Sequence, residues 1–310
     1  LFTGRGGILL KRTYFSLILA YIMWMFAIPF WKLFTDYPSF YILNIRFISS
    51  SLFMLALLAV HGELGEFFRL FQTKKNRLLF LSAGMALYGN WLCNTVAPMI
   101  DQLLEVSIGQ YLSPILLIFL GSLLFREKLS PIQWVSSLLA LSGLLVILIS
   151  YGSIPWIILL VSSTFFVLTM LLKGTTVSAV QMTAAQLLAL DPLAICLALR
   201  YEAAGQGFYS PGSGPAQWFS PIAIACVSIL PMLLFNKAVK QLPSITLGFF
   251  QYLGPTLSMV MGVFVYQEEL DISKLLALAL IWLGIAIYIV SQVQEERMSA
   301  PSKAANRCGK

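Results

Sequence analysis

Gln110-Tyr-Leu-Ser-Pro-Ile-Leu116 returns as Gln251-Tyr-Leu-Gly-Pro-Thr-Leu257, an offset of 141 residues. At that offset Gly121 also matches Gly262, Glu127 matches Glu268, Leu129 matches Leu270 and Gly143 matches Gly284. Apolar composition alone does not reproduce Gln, Tyr, Pro, Gly and Glu in register without a gap, so the chain carries an internal duplication. A membrane-crossing helix needs ~20 mostly apolar residues, because ~30 Å of hydrocarbon is crossed at ~1.5 Å per residue. Outward from the repeated segment, such windows fall at 13–33, 39–60, 78–99, 104–125 and 131–150, then at 154–173, 177–199, 217–236, 242–266 and 273–293. Each copy therefore holds five spans, and an odd number turns the second copy upside down. The expected fold is all-α and integral to the membrane: ten transmembrane helices in two inverted five-helix repeats, 8–150 and 154–294. A polar tail, 295–310, is expected to be disordered.

Composition points the same way. The 310 residues are 59% hydrophobic and 11% charged, whereas a soluble domain is roughly 45–50% apolar and 25% charged. A water-soluble fold cannot hide that much apolar surface, since much of any chain faces its solvent. The net charge of +7 is a topology signal rather than a nucleic-acid footprint. With the N-terminus inside, cytoplasmic segments hold 16 of the 20 Lys and Arg residues, and outer segments hold only Lys32, Arg200 and Lys274. That bias places both termini in the cytoplasm. The first apolar run, Thr13 to Trp31, is too long for a signal-peptide core and reads as a span.

Other classes are disfavoured by what the chain carries. Cys93, Cys196, Cys226 and Cys308 have no CxxC spacing, which argues against a disulfide framework or a zinc site. The single histidine, His61, falls in a cytoplasmic loop, so no Ser-His-Asp relay can be assembled. No Walker A motif is present for ATP-driven pumping, and no cofactor is implied. The Gly/Pro-rich stretch Tyr209–Pro215 follows no strand and reads as an outer connector.

Inverted repeats provide two near-equivalent conformations, one open to each side, with the binding site near the midplane between the copies. Helices broken at matching positions point to that site, and Pro114 and Pro255 are such a pair. Each frees a backbone carbonyl that must find a partner or line a cavity.

Several further motifs carry a resemblance. They are Asn90-Trp91-Leu92, Leu104-Glu105-Val-Ser-Ile-Gly109 leading to Pro114, and Gly121…Glu127-Lys-Leu…Gln133-Trp134. Gly152-Ser-Ile-Pro155 follows, then Thr246-Leu-Gly-Phe-Phe-Gln-Tyr-Leu-Gly-Pro-Thr256, continued by Tyr266…Glu268 and Ile281-Trp282. In these the chain resembles the drug/metabolite transporter superfamily, within it the EamA-like group and its RarD-type permeases, from about Gly7 to Ile289. The resemblance implies a ten-helix permease of the bacterial inner membrane with its fifth and tenth helices at the periphery. It departs from the family pattern at Gln186, where a glutamate is usual, and at Asp191, an added carboxylate. Leu168, Thr169, Asn94 and Val96 also depart from it.

The function expected is secondary transport of a small organic metabolite or drug-like solute, as exporter or exchanger, with a membrane receptor, scaffold or channel-like facilitator as the alternative. Arg46 lies within the second span, where an unpaired charge costs ~2.5–3.5 kcal/mol on insertion scales. It can snorkel to the outer surface, pair with Glu105 or Asp191, or meet an anionic group of the cargo, since guanidinium holds carboxylate in a bidentate fork. The candidate cavity residues are Arg46, Asn90, Trp91, Gln110, Tyr111, Gln186, Gln251 and Tyr252. Amides at membrane depth need a partner or a cavity, and the aromatics can stack on cargo. Glu105 and Asp191 are the candidates for an ion pair or for a coupling proton, because a carboxyl group in an apolar setting favours its neutral form.

Overall fold

A computed structural model describes residues 5–99, 103–151, 156–265 and 272–308, and every regular element among them is helical. In chain order they are α1 (Arg5–Lys32), α2 (Ser39–Val60), α3 (Leu64–Arg69), α4 (Lys74–Met99) and α5 (Leu103–Leu116). A π turn (Leu117–Gly121) leads into α6 (Ser122–Phe125), α7 (Pro131–Tyr151), α8 (Trp156–Gly174), α9 (Ala179–Leu188) and α10 (Asp191–Ala203). The rest are α11 (Pro215–Gln241), α12 (Ser244–Gln251), α13 (Leu253–Val265) and α14 (Ile272–Cys308).

Five of these helices contain stretches long and apolar enough to cross a bilayer, and α9 with α10, bent by 48°, makes a sixth. The expected fourth and ninth spans are each interrupted, and the interruptions have one cause. Pro114 and Pro255 have no N–H to donate to the carbonyls of Gln110 and Gln251, four residues earlier. After Pro114 the helix relaxes into the π turn; before Pro255 it breaks at Tyr252, between α12 and α13. The repeat-mate glutamate Glu268 and the Gly152–Pro155 connector lie outside the described residues.

α2 runs without Gly or Pro to a sharp stop. Gly62 takes φ 72°, Glu63 N–H bonds Leu58 O at 2.9 Å and Gly62 N–H bonds Ala59 O at 3.0 Å. This closing loop satisfies the last carbonyls of the helix. Its polar residues Asn44, Arg46, Ser49, Ser50 and Ser51 are buried, while the outer surface carries apolar side chains such as Phe15, Leu123 and Ile149. Polar inside and greasy outside is the pattern that lipid as solvent selects.

Packing follows the duplication. α1 packs on α11 as α8 packs on α4, and α1 meets α13 as α8 meets α5. α7 and α14 pack on each other along their length. There, a Cβ at Gly143 would stand 2.6 Å from Ala277 O and 2.8 Å from Ile281 Cγ1, and one at Gly284 would stand 2.6 Å from Ser136 O and 3.4 Å from Ala140 N. Ser136, Ala140 and Gly143 are the 141-residue mates of Ala277, Ile281 and Gly284. Two sequence copies thus meet through one contact made twice.

Candidate functional site

A central cavity of about 160 Å³ opens among α1, α2, α4, α5, α8, α9, α11, α12 and α13. It can hold several waters or a small solute, a water occupying ~30 Å³ of liquid volume. No described residue of α7 or α14 lines it.

Arg46 projects from α2 to the cavity wall and is 4% exposed. Its Nε donates to Ser228 Oγ of α11 at 2.9 Å and its Nη1 to Thr95 Oγ1 of α4 at 2.7 Å. The guanidinium carbon stands 3.9 Å from the centroid of the Trp91 ring and 4.5 Å from that of Trp31. Two ring faces hold the cation by their quadrupoles, and two hydroxyls fix the plane of the fork. A guanidinium has five N–H groups; the others have no protein partner among the described residues. No carboxylate there lies within ion-pair distance of Arg46. This removes one alternative and half of another. Arg46 does not snorkel, because α1 and α11 cover it with Trp31 and Ser228, and it does not pair with Asp191. The Glu105 side chain lies outside the described residues.

The amides form a chain across the same cavity. Asn90 Nδ2 donates to Val161 O at 3.2 Å, Asn94 Nδ2 to Asn90 O at 2.9 Å, and Gln110 Nε2 to Asn94 Oδ1 at 2.9 Å. Across the repeat boundary Ser113 Oγ donates to Gln251 Oε1 at 3.4 Å, while Gln251 Nε2 has no partner among the described residues. Gln186 also faces the cavity, and Asn236 Nδ2 is held by Thr183 Oγ1 at 2.8 Å. Trp24, Phe165 and Phe235 form a mutually packed aromatic wall.

Six of the eight expected cavity residues, Arg46, Asn90, Trp91, Gln110, Gln186 and Gln251, come together here. Tyr111 and Tyr252 do not. Each follows its glutamine by one residue, about 100° around a 3.6-residue helix, and that step turns it outward. Their rings lie 6.4 Å apart in an apolar cluster with Ile115, Ile281 and Tyr288. Pro255 lines the cavity, whereas Pro114 does not; its carbonyl packs on Gly248 instead. Asp191 opens α10 away from the cavity. Sequence reasoning missed Trp31, Thr95 and Ser228 as the clamp on Arg46. A tryptophan near a span's end reads as an interface residue, and lone hydroxyls in apolar helices carry no signal of their own.

At the cytoplasmic end expected for the first copy, Glu127 and Lys173 are bonded at 2.8 Å. Glu127 also accepts from the N–H groups of Ser244 at 3.0 Å and Ile245 at 3.2 Å, and Lys173 donates to Leu242 O at 3.1 Å and Ser244 Oγ at 2.8 Å. Burial alone pushes the Glu127 carboxyl up, but Lys173 and the two backbone N–H groups outweigh it and hold the group below its ordinary value.

A helical bundle with a greasy exterior and a polar, cation-bearing cavity at its centre defines a multi-pass membrane protein. The EamA-like transporter family model matches the chain twice, at residues 11–149 and 153–290. The chain is 33% identical over 284 residues to an uncharacterized transporter of Pseudomonas aeruginosa, covering 90% of this chain and 93% of that one. It is 30% identical over 297 residues to Protein RarD of Escherichia coli, covering 96% and 98%, and 31% identical to the uncharacterized transporter YojE of Bacillus subtilis, covering 90% and 94%. A solved crystal structure shares the fold with TM-score 0.64 at 18% identity, over 92% of this chain and 99% of that one. The chain belongs to the EamA-like transporter family and is a RarD-type permease of the drug/metabolite transporter superfamily.

Proposed function

We propose that this protein is a secondary carrier for a small organic solute bearing a carboxylate, working in the bacterial inner membrane as an exporter or exchanger. Ten spans, in two inverted halves at 8–150 and 154–294 with both termini cytoplasmic, alternate the central cavity between the two sides. The observation that carries the reading is Arg46: a guanidinium with no acidic partner among the described residues, held between Trp31 and Trp91 at the wall of a central cavity. A cation in that position costs several kcal/mol unless an anion meets it. A cargo carboxylate supplies the charge, and the aromatic wall and amide chain contact the remainder.

The contacts of Gly143 with Ala277 and Ile281, and of Gly284 with Ser136 and Ala140, run α7 and α14 antiparallel, which favours inversion about a two-fold axis in the membrane plane. The test of carriage is counterflow in proteoliposomes loaded with unlabelled amino acids, hydroxy acids or keto acids. A carrier transiently accumulates outside label against its gradient when the lumen holds its substrate. Equilibration without overshoot would mean a channel, and no flux with any solute would leave a receptor or scaffold.

A further inference from the structure

Asp191 lies off the cavity and is used by nothing described above. It opens α10 directly after the 48° bend from α9. Arg200, nine residues on, is in the last turn of α10; at ~1.5 Å per residue the carboxyl group sits roughly 13 Å deeper. It is 9% exposed, and its Oδ1 accepts no hydrogen bond among the described residues. The polar group facing it is the Ser51 hydroxyl of α2, and the Ser50 and Ser51 hydroxyls are themselves buried without partners there.

None of the charged and titratable groups on the elements packed around α9 and α10 bonds to Asp191 among the described residues. On α2, Arg46 donates to Thr95 and Ser228 and Tyr41 donates to Glu202. On α4, Tyr88 donates to Asn44. On α11, Lys240 donates to Thr175 O. Lys237 of that helix, Lys74, Lys75 and Arg77 at the far end of α4, and Arg200 of α10 form no ion pair with Asp191 among the described residues. Cys93, Cys196 and Cys226 form no disulfide among the described residues.

We propose that Asp191 is a proton-binding site inside the membrane, facing Ser51 across the α2–α10 contact at the bend. Left ionised at this depth, the carboxylate would have neither countercharge nor a full set of donors, a cost of several kcal/mol. Taking one H⁺ from water onto a carboxylate oxygen removes the charge and creates an O–H donor, for which the Ser51 oxygen is an available acceptor. Release returns that H⁺ to water, and no other bond changes. Ser50 lies one helical turn from Arg46 on α2, and Gln186 on α9 faces the cavity. The proton site and the anion site thus share α2, which packs on both α9 and α10. That the proton drives transport rests on the carrier reading above; the proton site itself does not.

Infrared difference spectroscopy of the purified protein, taken between acidic and alkaline buffer, tests this with the proton as the probe. The wild type should show a titrating protonated-carboxyl C=O band that Asp191→Asn abolishes and Ser51→Ala shifts in frequency. Asp191→Asn copies the shape of the neutral acid, so its melting temperature should equal or exceed the wild type's. A spectrum unchanged in both variants would overturn the assignment, as would stabilisation by sodium chloride over choline chloride that disappears with Asp191→Asn, which marks a metal-cation site. Should Asp191→Asn fail to fold, Ser51→Ala alone decides, an unmoved band refuting the proposal. A titrating Asp191 band in a protein that fails counterflow with every solute would sink the carrier reading and leave the proton site standing.

Discussion

Replacing Glu127 by Gln should loosen the junction of three helix ends. α12 begins at Ser244 behind Pro243, which offers no capping side chain. Its first N–H groups are met instead by the Glu127 carboxylate from the other copy, at 3.0 and 3.2 Å, while Lys173 of α8 closes the set at 2.8 Å. Arg126 takes φ 55° to turn the chain into this position. Gln keeps one acceptor oxygen but loses the charge, the ion pair and the favourable interaction with the helix N-terminus. A charge-assisted hydrogen bond contributes ~1.5–3 kcal/mol and an exposed ion pair ~0–1. The Lys173 and Glu127 side chains are 15% and 20% exposed, so a loss of ~2 kcal/mol is expected. At roughly 2–4 °C per kcal/mol that is a drop of about 4–8 °C in melting temperature, read by tryptophan fluorescence in detergent.

The pH dependence should share the same origin. A carboxyl held below its ordinary value of 4.5 in the folded protein contributes stability that is full above that value. The contribution is lost as pH falls through the lower, folded value. The wild type and Glu127→Gln should therefore converge in acid and diverge near neutrality. Equal melting temperatures near neutral pH would refute the reasoning, and so would a gap that widens in acid.

Gly143→Ala and Gly284→Ala each push a Cβ to within 2.6 Å of a backbone oxygen of the partner helix. Each should cost ~1–3 kcal/mol, with similar drops in melting temperature; a large effect in one only would argue against matched contacts. Tyr41 donates to Glu202 and accepts from Phe208 N–H at 2.8 Å, pinning the loop that follows α10. Tyr41→Phe leaves a buried N–H unmet, so the loop should become sensitive to protease while the protein loses ~1–3 kcal/mol.

Much of the architecture was legible because lipid imposes a coarse code. The duplication, the apolar windows and the matched prolines follow from rules that single residues obey, and Pro114 and Pro255 break their helices for a reason visible in the letters. Within the site, Gln110 and Gln251 were legible because a polar amide at membrane depth must face something. Tyr111 and Tyr252 fall outside the cavity because a residue next in sequence to a cavity-facing glutamine stands about 100° around the helix from it. The clamp on Arg46 was illegible for another reason: Trp31, Thr95 and Ser228 come from three helices, and only packing brings them together.

If Arg46 holds a cargo carboxylate, an organic acid and its carboxamide should act differently on the protein. The melting temperature is measured with each of a panel of small organic acids and with the corresponding carboxamides, for wild type and Arg46→Gln. Removing a buried cation that lacks an acidic partner among the described residues relieves its desolvation cost, so the variant alone should melt near the wild-type temperature. At least one acid should stabilise the wild type by mass action while its carboxamide does not. Arg46→Gln should weaken that effect roughly 100-fold, from the loss of ~2–3 kcal/mol in charge-assisted bonds. An acid that stabilises Arg46→Gln as well as wild type, or a carboxamide as effective as its acid, would contradict the account.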